Sequence, residues 1–129
     1  MPRSRSGADA VGTVFAILKH NSRPMTADIL IAFVTCPPDR ADALAQVLVE
    51  TRVAACVNIV PAVRSVYRWK DAVQTDGEAL LMIKTAQARV EDLRQAVLKH
   101  HPYELPEFIA VKVAQGHAPY LQWVLDSTS

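Results

Sequence analysis

Residues 55–85, with the sequence ACVNIVPAVRSVYRWKDAVQTDGEALLMIKT, contain two long strand-like runs and decide the fold. In the first run, residues 55–70, apolar and polar side chains alternate as in a strand with one covered face. The apolar positions that share one parity are Val57, Ile59, Val63, Tyr67 and Trp69. Pro61 cannot donate a backbone hydrogen bond, so it predicts a bulge or bend. The second run covers residues 73–85, and together the two runs predict a long β-hairpin.

The turn of this hairpin has two candidate positions. Asp76-Gly77 is the stronger local turn signal, because Asp-Gly is favoured in two-residue hairpin turns. A turn at Lys70-Asp71 would instead leave two strands of matched length, and Asp tolerates the left-handed backbone that such a turn needs. The sequence alone does not decide between these two turn positions.

The segments on either side of the hairpin predict an alternation of strands and helices. In chain order they are a buried strand over residues 28–35, a helix over 39–52, a helix beginning after the N-cap Thr85 and ending before Pro102, a strand over 107–115, and a short closing helix over 119–126. The order strand–helix–strand–strand–helix–strand is that of the ferredoxin-like split βαβ arrangement. We therefore expect an α+β fold, a ferredoxin-like βαββαβ sandwich with an extended central hairpin and a short C-terminal helix.

The predicted hairpin is too long for its own domain. A strand over residues 55–70 would span roughly 50 Å, whereas a domain of this size has a diameter of about 33 Å. Val66, Tyr67 and Trp69 near the far end would be exposed in a single chain, and an exposed apolar strand invites pairing with another chain. We therefore expect a closed oligomer. The alternative is a hairpin bent at Pro61 that packs on its own helices.

Composition and charge exclude several classes of protein. The chain has 129 residues, half of them apolar, which suits one domain with its own core. Two cysteines make no disulfide framework and fit a reducing compartment, so we expect a cytoplasmic protein. Residues 1–24 carry a local charge of +3 in a chain of +1, which leaves −2 for residues 25–129. We expect residues 1–24 to be a mobile extension of the domain over 25–129, with no nucleic-acid footprint and no membrane segment.

Several ordered motifs resemble the CutA divalent-cation tolerance family. They are residues 53–61, 65–69, 83–85, 100–107 and 120–123. The resemblance runs from about residue 28 to residue 126 and implies a tightly assembled homotrimer with interlocked hairpins. It also implies a cytoplasmic protein without enzymatic activity that is linked to tolerance of copper and other divalent metals. Asp71 departs from the family pattern, which commonly has Gly at this place in the turn.

The resemblance implies a metal site at Cys36, His100 and His101. A thiolate and imidazoles suit copper(I), zinc or similar metals, so copper or another divalent metal, transiently bound, is the expected cofactor. Family members carry the Cys where this chain has Thr35, and a shift of one residue in a strand reverses the side chain's facing. Adjacent histidines on a helix diverge by about 100°. The sequence therefore also supports another interpretation, in which both histidines cap helix carbonyls.

A second candidate site is a small-ligand cleft at the subunit boundary. Its predicted residues are Tyr67, Trp69, Lys84, Tyr103, Glu104 and Glu107. Aromatic walls with a few charges are typical of small-ligand pockets, although Tyr67 and Trp69 would also suit simple interface packing. By fold analogy with PII-type proteins, the alternative function is a trimeric signalling or small-ligand sensor protein. No phosphate loop, HExxH helix or nucleophile elbow is present, so we predict neither an enzyme nor an organic cofactor.

Overall fold

An eight-residue strand, β1 (Ile29–Cys36), lies inside the sheet of the computed structural model, which describes residues 28–129. The further elements are α1 (Ala41–Glu50), β2 (Cys56–Trp69), β3 (Ala72–Ala86), α2 (Val90–His100), β4 (Ile109–Lys112) and α3 (Ala118–Ser127). The four strands form one sheet in the order β2-β3-β1-β4, with antiparallel neighbours throughout. The predicted α+β class is confirmed. The predicted extension, residues 1–24, lies outside the described residues.

The hairpin turns at Lys70-Asp71. Both residues have positive φ, 51° and 66°, as a two-residue turn that matches the strand twist requires. The alternative at Asp76-Gly77 is wrong, because Gly77 lies within β3 opposite Arg64. Ladder pairing along the whole hairpin therefore outweighs the local turn preference of Asp-Gly.

Pro61 lies in the predicted bulge. Before it Val60 is opposite Leu80, and after it Val63 is opposite Glu78. In this interval β2 contains one more residue than β3, which is the definition of a bulge. Since directly opposed residues share a face of the sheet, the alternation of side chains along β2 reverses here.

The apolar residues of β2 that share one parity therefore do not share one face. Val57 and Ile59 pack against the core on the helix side. Val63, Tyr67 and Trp69 lie on the opposite side, because the extra residue shifts a pattern of period two by one position. The outer half of the hairpin does not pack on α1, α2 or α3, which leaves much of it exposed.

Helices α1 and α2 cover one face of the sheet. Their apolar stripes bury Leu44 and Leu48 of α1 and Leu93 and Val97 of α2. These residues form one core cluster with the alternate residues of β1 and β3. The strand alternation leaves the other residues of β1 and β3 on the opposite face.

That opposite face, here called the open face, is apolar, and none of the helices described between residues 28 and 129 covers most of its area. Its apolar residues are Ile31, Phe33, Val60, Leu80, Met82, Ile109 and Val111. Each of them is half-buried or exposed in the single chain. Helix α3 closes only one end, where Leu121 and Val124 form a second buried cluster with Ile29 and Ala55.

Two predicted boundaries differ from the structure. Thr85 is not a helix cap, because β3 continues to Ala86, which pairs with Ile29. Instead the buried Thr85 hydroxyl donates to the carbonyl oxygen of Val53 at 2.7 Å. The last strand is shorter than predicted, since only Ile109–Lys112 pairs with β1.

Candidate functional site

A cleft opens where the outer hairpin meets the segment after α2. We call it the hairpin cleft, and its volume is about 650 Å³. It is lined by Thr35, Ser65, Val66, Tyr67, Arg68, Trp69, Asp76, Glu78, Tyr103, Glu104, Leu105 and Glu107. One wall is the hairpin beyond the bulge and the other is the loop 103–107. The volume lies within the range of roughly 300–1,000 Å³ that is usual for small-ligand sites.

A relay of hydrogen bonds fixes the loop over the hairpin. The backbone N–H of Tyr103 donates to Nδ1 of His101 at 3.1 Å, and Nε2 of His101 lies 2.7 Å from the carbonyl oxygen of Thr35. Since Nδ1 accepts, Nε2 carries the proton and donates to Thr35. The Tyr103 hydroxyl then donates to Oε2 of Glu78 at 2.7 Å. The imidazole of His101 therefore anchors the loop to β1.

Three carboxylates of the cleft accept hydrogen bonds from hydroxyl groups. The Tyr67 hydroxyl donates to Asp76, and that bond raises the pKa of Tyr67. Burial and the hydrogen bond to Glu78 raise the pKa of Tyr103. At the cleft edge the Thr35 hydroxyl donates to Oε1 of Glu107 at 3.3 Å. Both tyrosines are therefore neutral donors at physiological pH.

The structure brings together five of the six residues suggested for a ligand cleft. Tyr67 and Trp69 on β2 and Tyr103, Glu104 and Glu107 on the loop all line it. The sixth, Lys84, is not among the lining residues. It lies on the inner half of β3, where its ammonium group donates to the Asn58 side chain.

The residues suggested for a metal site do not form a ligand set within one chain. No group of three or more His, Cys, Asp or Glu side chains within residues 28–129 is arranged to hold a metal ion. His101 uses both ring nitrogens in hydrogen bonds, and His100 is exposed at the end of α2. Burial, with the nearby Glu78 carboxylate, raises the pKa of the Cys36 thiol, which disfavours the thiolate that a metal needs. The three side chains as they stand do not fit copper.

The second sequence interpretation, in which the histidines cap helix carbonyls, is wrong for His101. Its ring does not cap a helix carbonyl, because it contacts the carbonyl of Thr35 in β1. The backbone N–H of His101 reaches Val97 instead and ends α2. The imidazole thus connects two elements that are far apart in the sequence.

Sequence reasoning missed the acidic side of the cleft. In the sequence Asp76 indicates only a turn and Glu78 belongs to no motif, although Glu78 is only 6% exposed. One sequence signal could have indicated Glu78, namely that this charged residue directly precedes the apolar run that begins at Ala79. Its partner Tyr103 is 25 residues away, so only the folded chain shows the pair.

Within the part of the chain that the structure describes, no helix has the length and apolar character to cross a membrane. This finding agrees with the lengths of the described helices, the longest of which is α2 with 11 residues.

Known sequences agree with the motifs described above. Residues 30–127 match the family model described as CutA1 divalent ion tolerance protein. The human protein named Protein CutA is 49% identical over 98 residues, which cover 75% of this chain and 55% of the human protein. The Divalent-cation tolerance protein CutA of Thermus thermophilus is 41% identical over 99 residues, which cover 76% of this chain and 96% of that protein. The chain thus spans about half the length of its human relative and nearly all of the bacterial one.

Solved structures share the fold. The PII-like protein CutA from Nostoc sp. PCC 7120, solved in its apo form, superimposes with a TM-score of 0.74 at 36% identity. That match covers 78% of this chain and 97% of the Nostoc chain.

Proposed function

Because this chain belongs to the CutA1 divalent ion tolerance family, we propose that it acts in divalent-cation tolerance as a homotrimeric binding protein whose ligand occupies the hairpin cleft. The relatives are named for tolerance and not for a reaction, so the proposed role is binding without catalysis, in the cytoplasm. The subunit would be a ferredoxin-like domain. The observation that carries the proposal is the cleft itself, in which three aromatic rings and four carboxylates converge.

The open face supports the oligomeric part of the proposal. Ile109 and Val111 are 55% and 48% exposed in the single chain, and they continue the apolar row of Ile31 and Phe33 on β1. A contiguous apolar surface of this kind is typical of an interface between subunits. A second copy of the chain is a suitable partner because a closed assembly covers the same face on every subunit.

Copper binding by Cys36, His100 and His101 stays a prediction. It would require His101 to give up its bonds to Thr35 and Tyr103, or a ligand from another subunit. The test is calorimetric titration of the purified protein with copper(II). We expect the exposed His100 to account for any weak binding, so that His100→Ala reduces it. His101→Ala should chiefly lower the melting temperature, because it releases the loop.

A small-ligand sensor is the second candidate function, and the cleft favours it. The relative from Nostoc is named PII-like, and PII-type signalling is one use of such a fold. A thermal-shift screen against a broad metabolite set tests this function. We expect at least one compound to raise the melting temperature of the unsubstituted protein but not of a Trp69→Ala variant. If no metabolite stabilises the trimer, the sensor proposal fails.

A further inference from the structure

The hairpin cleft has an imbalance of charge that the described residues, 28–129, do not neutralise. Its carboxylates are Asp76, Glu78, Glu104 and Glu107, and Arg68 is the one cationic residue in its lining. The two ion pairs between described residues are Arg89–Asp92 and Arg94–Glu91, both at the start of α2. Within residues 28–129, then, no cleft carboxylate has a cationic partner at ion-pair distance.

Glu78 makes this imbalance costly. It is 6% exposed, and its described partner is the neutral hydroxyl of Tyr103. A buried carboxylate is stabilised best by a positive charge, since burying an unpaired charge is strongly unfavourable. A positively charged ligand group that enters the cleft would give Glu78 the cationic partner that the described residues do not provide.

The aromatic walls favour the same kind of group. Tyr67, Trp69 and Tyr103 line the cleft, and the negative faces of such rings attract cations within about 6 Å. The chain already uses this attraction, because Nζ of Lys70 lies 5.7 Å from the centre of the Trp69 ring. A bare metal ion fits less well, because the described residues offer no group of three metal-ligating side chains.

We propose that the hairpin cleft binds an organic cation, an amine or guanidinium compound, with its charge directed at Glu78 and its apolar part between the aromatic walls. This inference rests on the proposed function, since it names the ligand class of the same site. The exposed Glu104 and Glu107 at the rim attract the ligand, and Glu78 at the base fixes its charged end.

Calorimetry with a matched pair of probes tests the proposal. Benzylamine, which is protonated at pH 7, and benzyl alcohol, which is neutral and nearly the same shape, are titrated into the full chain. We expect benzylamine to bind at least tenfold more tightly than benzyl alcohol. Glu78→Gln should remove most of that difference and leave benzyl alcohol unaffected. Glu50→Gln on the exposed side of α1 is the control and should change neither affinity.

Further measurements separate the possible failures. If Glu78→Gln does not fold, Glu104→Gln on the exposed loop should still weaken benzylamine about threefold and leave benzyl alcohol unchanged. Equal affinity for the two probes, or binding of neither, would overturn the organic-cation proposal. In that case, a metabolite that stabilises the protein through Trp69 would still support the cleft as the ligand site. Should Glu78→Gln instead promote dissociation of the trimer, a cationic side chain of another subunit fills the cleft, and the free-ligand proposal fails.

Discussion

Replacing the two most exposed apolar residues of the open face should weaken the trimer by a calculable amount. Fully burying a Val or Ile side chain contributes about 1.5–3 kcal/mol. Ile109 and Val111 are 55% and 48% exposed, so contact with another subunit can still gain about 1 kcal/mol from each. Ile109→Thr with Val111→Thr removes this gain and retains β-branched residues suited to a strand.

The loss is multiplied by the symmetry of the assembly. About 2 kcal/mol per subunit becomes about 6 kcal/mol for three subunits, roughly a factor of 10⁴ in the association constant. Because the dissociation of a trimer depends on the square of the protein concentration, the midpoint of dissociation should rise about 100-fold. Sedimentation velocity over a dilution series measures this midpoint, and circular dichroism verifies that the variant is folded.

A matched control uses the helix side of the molecule. Val49 on α1 and Leu98 on α2 are each 41% exposed, and replacing both with Gln removes similar apolar area without lowering helix propensity. We expect the control to dissociate at the same concentration as the unsubstituted protein. A folded Thr variant with an unshifted midpoint would refute the assignment of the open face as the interface. So would an unsubstituted chain that sediments only as a single chain at micromolar concentration.

Three further predictions concern stability. Thr85→Val should cost about 1–3 kcal/mol in urea unfolding, because it leaves the buried Val53 carbonyl without its donor; a cost near zero would contradict the role given to this hydroxyl. Asp71→Gly should stabilise the hairpin by about 1 kcal/mol, since Asp71 has φ of 66°, and Asp71→Ala should not stabilise it. Arg94 lowers the pKa of Glu91 from 4.5 to about 2, so this interaction stabilises the fold above pH 4.5 and is lost as the pH falls towards 2. The melting temperatures of the unsubstituted protein and Glu91→Gln should therefore converge over that interval, and a constant difference would contradict this account.

The sequence predicted best what depends on local periodicity. The element order, the long hairpin and the bulge at Pro61 follow from alternation and from the missing donor of proline, and the structure confirms them. The end of β3 was misplaced because Thr85 has a cap preference that the ladder with β1 overrides. The turn could not be chosen locally, since Asp76-Gly77 and Lys70-Asp71 both satisfy the chemistry of a turn.

The candidate site was only partly predictable for a different reason. The aromatic residues and rim carboxylates stand out by composition, so five cleft residues could be named from the sequence. The pairing of Glu78 could not be recognised because its partner Tyr103 lies on the distant loop that His101 anchors to Thr35. Contacts between distant segments leave no periodic trace in the sequence.

The bulge at Pro61 lets β2 carry one more residue than β3 without moving the aromatic wall of the cleft. Removing Ala62 would shorten β2 by only about 3.3 Å and restore a regular ladder, in which Val63 still faces Glu78 and Trp69 still faces Ala72. Tyr67 and Trp69 would then keep their surface, because the turn at Lys70-Asp71 fixes the pairing of the outer hairpin. The supernumerary residue therefore changes the local bend of the strand, whereas the turn determines which side chains line the pocket.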